Sequence, residues 1–344
     1  MTKTTTAAAL FAAALAVAGM ANSATEARTD APSVRAELKK KYVRPAAIPF
    51  PDENRFSKEK ELLGRTLFFD PRLSGSRSIA CSTCHNPGFS WGDGLPKAIG
   101  TGTKVLGRRS PTILNSAWTE LLFWDGRADS LEQQALGPIA APGEMNQTLA
   151  DMVATVSAVP EYHLLFNKAF PTGEIGTDTV AKAIATFERT VVSGQAPFDE
   201  WIAGRENAIS EDAKEGFDLF NGKAQCSKCH TDWVFTDSGF HDIGLEGSDP
   251  GRAQHLHLAA MQSAFKTPTL RNADRRAPYM HDGSEATLEQ VIDFYDEGGK
   301  ARRPSLAPEM KPLHLTPQEK KQLVEFMKTL TSVDAPVVIP AMPK

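Results

Sequence analysis

Apolar side chains recur at helical spacing in several stretches of the chain, and a capping residue precedes most of them. Ser57 precedes KEKELLGRTLFF and Ser210 precedes EDAKEGFDLF, and both runs are amphipathic. Thr177 is predicted to cap a third helix, because apolar residues follow it at every third or fourth position. These residues are Val180, Ile184, Phe187 and Val191. We interpret this apolar stripe as part of the protein core.

The C-terminal part of the chain carries two more helix signatures. Thr287 and Gln290 form a capping box for LEQVIDFYDE, which ends before a Gly-Gly pair. Thr316 and Glu319 start a last helix, EKKQLVEFMKTL, in the same way. Alternating apolar and polar runs, which are typical of strands, are scarce. The sequence therefore predicts a mainly α fold with long Gly- and Pro-containing loops.

The start of the chain has the pattern of a secretory signal peptide. Lys3 is followed by an apolar run from Ala7 to Met20 and then by the small residues of GMANSATEA. The alternative is a retained membrane anchor, but the apolar run is too short to span a bilayer comfortably. We therefore expect residues 1–27 to be a signal peptide that directs export to the periplasm. The mature chain is then expected to be soluble and without a membrane anchor.

Composition narrows the class of protein further. The chain has 344 residues, of which 41% are hydrophobic and 23% charged, which is ordinary for a globular protein and excludes disorder. Its 38 Lys and Arg residues against 42 Asp and Glu residues give a net charge of -4. Since no basic excess exists to neutralise phosphates, we do not expect nucleic acid as a partner.

All four cysteines lie in two copies of one short motif. The copies are CSTCH at positions 81–85 and CSKCH at positions 226–230. A redox dithiol, a zinc site or two local disulfides would each use such cysteines, yet C-x-x-C-H is the attachment motif of c-type haem. Two cysteines three positions apart share one side of a helical turn, so both sulfurs can bond one porphyrin while the adjoining His reaches its iron. We therefore predict two covalent haems, with His85 and His230 as iron ligands.

The two motifs also suggest two similar halves. A G-x-x-L-F pattern precedes both, at Gly64 and at Gly216, which indicates a weak internal repeat of one helical haem-binding unit. The stretch 193–210, with two Gly and a Pro, is a suitable linker. We predict an N-terminal haem domain over residues 28–200 and a C-terminal haem domain over residues 201–344.

The sequence resembles a known family, the bacterial dihaem cytochrome c peroxidases, and within it most closely the MauG-type proteins. The resemblance covers about residues 57–332. The segments that carry it are LFFDPRLSGS (67–76), CSTCHNPGFSWGDG (81–94), RRSPTILN (108–115), FWDGRADSLEQQALGPI (123–139), EM (144–145), ATFERTVVS (185–193), FHDIG (240–244), FKTPTLRN (265–272), APYMHDGS (277–284) and the helix that contains Tyr295. It implies two c-type cytochrome-like haem domains and the activity of a haem peroxidase.

The resemblance assigns peroxide chemistry to the first haem, the one attached through Cys81 and Cys84. Gln134, Pro138 and Glu144 are implied to line the side of this haem that peroxide reaches. Cleaving peroxide needs an open iron and a group that moves a proton between its oxygens, and a Glu in a partly desolvated pocket suits that task. Many relatives block this iron with a His some way beyond the motif, but residues 95–107 contain none. We therefore expect the first iron to be open at rest.

For the second haem, attached through Cys226 and Cys229, the resemblance implies an electron relay with Tyr295 as the ligand opposite His230. The residues alone leave competitors of more usual ligand type, which are His241, Met261, Met280 and His281. A phenolate ligand would lower the reduction potential relative to Met. Trp124 matches an indole that lies between the two haems in the family and transfers charge between them.

Two positions depart from the family pattern. The family implies one calcium ion between the haems, held partly by an Asn side chain, but Arg109 stands in that place. The carbonyls of Arg276 and Pro278 could still serve, although a cation beside them opposes calcium. Ala224 and Gln225 stand where MauG carries a surface Trp for oxidising its protein substrate, so maturation of a quinone cofactor by that route is not predicted.

The sequence thus predicts a periplasmic dihaem c-type peroxidase that reduces hydrogen peroxide at its first haem. Electrons are expected from a small redox protein, such as a c-type cytochrome or a cupredoxin, or from a protein substrate. Two alternatives stay open: a dihaem cytochrome that only transfers electrons, and a haem-based sensor. An open first haem favours the enzyme, whereas two six-coordinate haems favour the carrier.

Overall fold

The computed structural model describes Met1 and residues 31–344. The predicted signal peptide therefore lies almost entirely outside the described residues. The chain divides into two compact units, Met1–Lys40 and Lys41–Lys344, and the described part of the first is one helix, α1 (Ala31–Lys40). None of the helices in the described residues is long and apolar enough to cross a membrane. The predicted boundary at residue 200 stays a prediction.

The unit Lys41–Lys344 is mainly helical, as the sequence predicts. Its longer helices are connected by loops that contain single 3₁₀ turns, among them Cys226–Lys228 and Ser116–Trp118. The α-helices are α2 (Lys58–Phe68), α3 (Cys81–Cys84), α4 (Leu131–Ala140), α5 (Leu149–Ser157), α6 (Pro160–Ala169), α7 (Thr177–Arg189), α8 (Pro197–Ile202), α9 (Glu211–Asn221), α10 (Ala253–Leu256), α11 (Leu288–Asp296) and α12 (Pro317–Lys328). Two short antiparallel strands, β1 (Phe240–His241) and β2 (Phe265–Lys266), pair Phe240 with Lys266.

Most of the predicted helix starts are confirmed by their hydrogen bonds. The Ser57 hydroxyl accepts from the backbone N–H of Lys60, and the Ser210 hydroxyl accepts from that of Ala213, each at 3.2 Å. The capping boxes at Thr287 and Thr316 also form. The prediction at Thr177 is wrong by one residue: Gly176 is the cap, and its N–H donates to the Thr179 hydroxyl. A glycine tolerates a capping position, so the hydroxyl two residues further on can serve instead of Thr177.

A glycine lets two helices cross closely in the first half. A Cβ atom at Gly64 of α2 would lie 1.8 Å from the carbonyl oxygen of Ala183 and 3.0 Å from the Cβ of Phe187, both on α7. The predicted stripe of α7 is buried against α2 in one large hydrophobic cluster. The interpretation of this stripe as core is confirmed.

The second half repeats this crossing. A Cβ atom at Gly216 of α9 would lie 2.0 Å from the carbonyl oxygen of Gln322 and 2.7 Å from the Cβ of Phe326, both on α12. Around it packs a cluster of aromatic rings in edge-to-face, tilted and stacked contacts, with centroids 5.0 to 6.1 Å apart. These rings include Tyr42, Phe198, Phe217, Phe220, Phe235 and Phe326. The two glycines therefore mark equivalent positions in the two halves.

The crossing predicts the effect of Gly64→Ala. Ala favours a helix by about 1 kcal/mol over Gly, but its methyl group would overlap the Ala183 carbonyl, and overpacking costs about 1–3 kcal/mol or more. We expect a net loss of stability and a melting temperature several degrees lower. Gly176→Ser, at the residue that caps α7, is the control, since the nearest atom to a Cβ there is 3.4 Å away. Equal melting temperatures for the two variants would contradict the close crossing.

Candidate functional site

One large cavity lies inside the unit Lys41–Lys344. Its volume is about 810 Å³, and both C-x-x-C-H motifs line it. The four cysteines are unpaired and half-buried. The motifs, which lie far apart in sequence, thus open onto the same interior space.

Each motif presents two sulfurs and one imidazole in the same arrangement. Cys81 and Cys84 form the single turn of α3, and the backbone N–H of His85 donates to the carbonyl of Cys81 at 2.9 Å. The His85 Nδ1 lies 3.3 Å from the carbonyl oxygen of Trp91. A ring nitrogen engaged in this way leaves Nε2 for a metal and fixes the orientation of the ring.

The second motif follows the same plan. The backbone N–H of His230 donates to the carbonyl of Cys226 at 2.9 Å, and its Nδ1 lies 2.9 Å from the carbonyl oxygen of Phe235. Burial lowers the pKa of His230, and likewise that of His85, so both rings are neutral, which is the form that binds metals.

The arrangement fits two covalently attached haems and does not fit a four-thiolate zinc site. Within the described part of the chain, the group of three or more side chains close enough to share an ion is Cys229, Asp237 and His241. It does not bring the two cysteine pairs together, as a zinc site with four thiolates would require. Each pair instead has its own histidine and its own part of the cavity.

Gln134, Pro138 and Glu144 all line the cavity. Gln134 and Pro138 belong to α4, and the chain then turns back, with the backbone N–H of Met145 donating to the Pro138 carbonyl at 3.1 Å. Burial raises the pKa of Glu144, and the charge of Arg127 opposes that rise. The Glu144 charge in turn raises the pKa of the Cys84 thiol, so the acid lies within electrostatic reach of the first motif.

The loop at residues 95–107 holds Glu144 in place. The Thr101 N–H donates to the Glu144 carbonyl at 2.9 Å, and the Thr101 hydroxyl donates to the same oxygen at 2.6 Å. A Cβ atom at Gly100 would lie 1.9 Å from the Gly143 carbonyl oxygen, so only glycine allows this approach. The sequence gives no signal for these contacts, because they join segments more than forty residues apart.

Tyr295 of α11 also lines the cavity, at the end that holds the second motif. Burial raises the pKa of its phenol, and the charges of Cys226 and Cys229 raise it further, which places the hydroxyl near the second motif. Of its competitors, His241 is bound to Asp237 at 2.8 Å, and the His281 ring is stacked on Phe265 with centroids 3.6 Å apart. Both histidines thus have partners already.

Trp124 and Arg109 lie together on the cavity wall. The Trp124 Nε1–H donates to the Arg109 carbonyl at 3.0 Å, which fixes the indole plane. The Arg109 Nη2 donates to the Arg276 carbonyl oxygen at 2.9 Å. A guanidinium therefore already occupies one of the two carbonyls that the family resemblance assigns to calcium.

Sequence reasoning missed an ion network that links the two halves. Arg108 donates to Asp249 at 2.7 and 2.8 Å and to Asp125 at 2.6 Å, and Asp125 is only 2% exposed. His255 adds a contact to Asp125 at 3.2 Å. No sequence signal pairs these residues, since the two aspartates are separated by more than a hundred positions.

A second missed residue is Glu188, which has a signal in the sequence. It lies one turn after Ile184 on α7 and three positions before Val191, which follows the helix, so an acid stands within the apolar stripe. Its side chain is buried and lines the cavity. Burying an ionised carboxylate among apolar side chains costs folding free energy, so an acid at this position is expected to be neutral or to serve a function.

Comparisons with known proteins agree with this geometry. The family model described as di-haem cytochrome c peroxidase matches residues 58–207, and a cytochrome c model matches residues 213–331. The chain is 51% identical to the methylamine utilization protein MauG of Methylorubrum extorquens, over 90% of this chain and 88% of that protein. It is 37% identical to the cytochrome c551 peroxidase of Nitrosomonas europaea, over 82% of each chain.

Solved structures show the same fold. A MauG-like protein associated with microbial copper homeostasis is 35% identical, with a TM-score of 0.77 over 85% of this chain and 94% of that one. The dihaem peroxidase BthA of Burkholderia thailandensis is 21% identical, with a TM-score of 0.71 over 81% of this chain and 87% of that one. The second likeness is one of fold.

Proposed function

Because the chain belongs to the di-haem cytochrome c peroxidase family, we propose that peroxide is reduced at the Cys81, Cys84 and His85 site, while the Cys226, Cys229 and His230 site relays electrons. The protein is a haem peroxidase with two c-type haems, similar to MauG and to the cytochrome c peroxidases. The division of labour between the two sites is the proposal.

The different surroundings of the two motifs carry the proposal. The cavity lining near the first motif offers a carboxyl group, Glu144, whose charge acts on Cys84. The lining near the second motif offers a phenol, Tyr295, whose environment includes both second-motif cysteines. A carboxyl group moves protons, whereas a phenolate is an iron ligand, so the two sites suit reaction and relay respectively.

Bound haem iron supplies the redox chemistry that reduces peroxide. The Glu144 carboxylate takes the proton from one peroxide oxygen and returns it to the other, for which its raised pKa is an advantage. The Gln134 amide hydrogen-bonds peroxide and orients it. Pro138 lines the same part of the cavity and offers no side-chain donor or ligand, so it would leave space for peroxide at the haem that His85 would hold.

Trp124 and Tyr295 serve the relay. The Trp124 indole is held by its hydrogen bond to the Arg109 carbonyl, and its ring lies 6.3 Å from that of His281. We assign it to charge transfer between the two sites. The Tyr295 phenolate and His230 would hold the iron of the second haem, and the negative charge of the phenolate would favour the oxidised iron.

The partners are hydrogen peroxide and a donor of electrons, either a small redox protein such as a c-type cytochrome or cupredoxin, or a protein substrate. The location is the periplasm, reached through the N-terminal signal peptide. The charged n-region and short apolar run of residues 1–27 support this location.

The test is to mix the resting, fully oxidised protein with stoichiometric peroxide in the absence of reductant and to follow its absorption spectrum. We expect the spectrum to change at once, because no His in residues 95–107 blocks the first site. A spectrum that stays unchanged, while prior reduction by one electron restores the reaction, would refute the open first site. An unchanged spectrum under both conditions would indicate an electron carrier instead.

Arg109 leads to a prediction about calcium. We propose that its guanidinium supplies the positive charge beside the Arg276 carbonyl, so that calcium is not required there. Dialysis against a chelator is therefore expected to leave the peroxide reaction of the native protein unchanged. In Arg109→Asn, which offers an amide oxygen in place of the cation, the same treatment is expected to slow the reaction, and added calcium to restore it. Loss and calcium-dependent recovery in the native protein would contradict the proposal.

A further inference from the structure

The two close helix crossings give the register of the internal repeat. A Cβ atom at Gly64 would lie close to the Cβ of Phe187 on α7. A Cβ atom at Gly216 would lie close to the Cβ of Phe326 on α12 in the same way. Glu188 is therefore the counterpart of Met327, one residue further along each helix. One turn earlier, Ile184 is the counterpart of Leu323.

All four of these counterpart residues line the cavity. Ile184 and Leu323 are both buried and apolar, as is Met327 at 5% exposure. Glu188 is equally buried, at 4% exposure, yet it is an acid. The two halves thus share a position on the cavity wall, and only the first half places an ionisable group there.

Among the described residues, Glu188 has no partner that would hold it ionised. Its Oε2 atom is buried and accepts no hydrogen bond from any residue in the described part of the chain. The neighbouring cation, Arg189, is already paired with Glu132 through two bonds of 2.6 and 3.0 Å. An acid in such a place is neutral at moderate pH, because ionising it would leave a buried charge unpaired.

The charged groups around Glu188 agree with this state. Its pKa is raised to about 8, chiefly by burial; the Arg189 charge of its own helix opposes this rise and the Glu132 charge of α4 adds to it. From the first motif, Cys81 faces it closely enough that the Glu188 charge raises the pKa of that thiol. Ser116, on the 3₁₀ turn that packs against α7, contributes a hydroxyl that does not titrate in this range.

We propose that Glu188 is a proton-exchanging group of the first haem pocket, which releases its proton when an electron leaves that haem and takes one back when an electron returns. The proposal rests on the first haem being attached at Cys81, which is next to Glu188, and not on the role of Glu144. Met327 cannot exchange a proton, so the exchange belongs to the first half alone.

The exchange fits the overall reaction. Peroxide accepts two electrons and two protons as its oxygen–oxygen bond breaks and two waters form. When the haem site is oxidised, its net positive charge rises, and breaking the O–H bond of Glu188 leaves a carboxylate that balances one unit of it. The proton passes to the water of the pocket, and solvent returns a proton to Glu188 when the donor re-reduces the site.

The test is an equilibrium redox titration of the holoprotein at a series of pH values, without peroxide. We expect the potential of the first haem to fall with rising pH between about pH 7 and about pH 9, one unit either side of the pKa. The reason is that ionised Glu188 stabilises the oxidised state. This fall in potential is expected to disappear in Glu188→Gln and in Glu188→Met. The second variant introduces the residue type that the second half has at the equivalent position, Met327. A native potential that is independent of pH in this window would overturn the proposal.

Infrared difference spectra between the reduced and oxidised holoprotein separate Glu188 from the other carboxyl group of the pocket. We expect a protonated-carboxyl C=O band that is sensitive to deuterium exchange, absent in Glu188→Gln and Glu188→Met but retained in Glu144→Gln. A band that survives in both Glu188 variants and vanishes in Glu144→Gln would assign the exchange to Glu144 and overturn the proposal. Since no peroxide is used, a failure of the Glu144 assignment in catalysis does not alter this result.

Discussion

Glu144→Gln is expected to react with peroxide about 10²–10⁴-fold more slowly than the native protein, the usual loss when a positioned acid-base group is removed. The amide keeps the size and polarity of the side chain but cannot accept and return a proton. Stopped-flow absorption measures the rate, and the haem content of the variant should be unchanged. Glu120→Gln, at an exposed acid, is the matched control and should react like the native protein.

The same residue fixes the pH dependence of the reaction. Burial raises the pKa of Glu144, so its carboxylate forms at higher pH than that of an ordinary glutamate. Because the ionised form takes the proton from peroxide, the rate in the native protein should rise with pH through this raised pKa. In Glu144→Gln that rise should be absent. A variant with the native rate and the native pH profile would remove Glu144 from the mechanism.

Tyr295→Met is expected to raise the reduction potential of the second haem by a sizeable part of the ~0.8 V range that axial ligands span. A thioether stabilises the reduced iron, whereas a phenolate stabilises the oxidised iron. Tyr295→Phe would instead remove the protein ligand that Tyr295 is proposed to supply to the second haem iron, and electron paramagnetic resonance would detect this loss as a change of spin state. Burial raises the pKa of the Tyr295 phenol, so the phenol is protonated when no metal holds it.

Tyr279→Phe is the matched control for these variants. Tyr279 also lines the cavity, but its hydroxyl donates to the Ala273 carbonyl at 3.1 Å. Its removal should leave both haem potentials in place. An unchanged second-haem spectrum in Tyr295→Phe would return the ligand question to Met280 and His281, which also line the cavity.

Local features of this fold were predictable from sequence because they depend on neighbours along the chain. The caps at Ser57 and Ser210, the capping box at Thr287 and the buried stripe of α7 each follow from residues within one or two helical turns. The haem motifs are local in the same sense. Their spacing alone indicates the group that they attach.

The contacts that shape the site could not be predicted in this way. Thr101 meets Glu144, Arg108 meets Asp249, and Arg109 meets Arg276 only after the chain has folded back on itself. Nothing in the local pattern of either segment specifies its partner. Glu188 could be predicted in part. The apolar stripe shows from the sequence that an acid is unusual at this position. Its equivalence to Met327 becomes visible only in the structure, through the two helix crossings.

The two hydrogen bonds from Thr101 to the Glu144 carbonyl have a consequence for how such an enzyme can be regulated. In relatives with a blocked iron, the segment that corresponds to residues 95–107 would have to move aside to expose that iron. In this chain the same segment holds Glu144 through Thr101. Opening by movement of that loop would release the acid at the moment when it is needed. A loop held in this way therefore suits an enzyme whose first site is ready for peroxide at all times. Its turnover is then expected to be controlled by the supply of peroxide and of electrons.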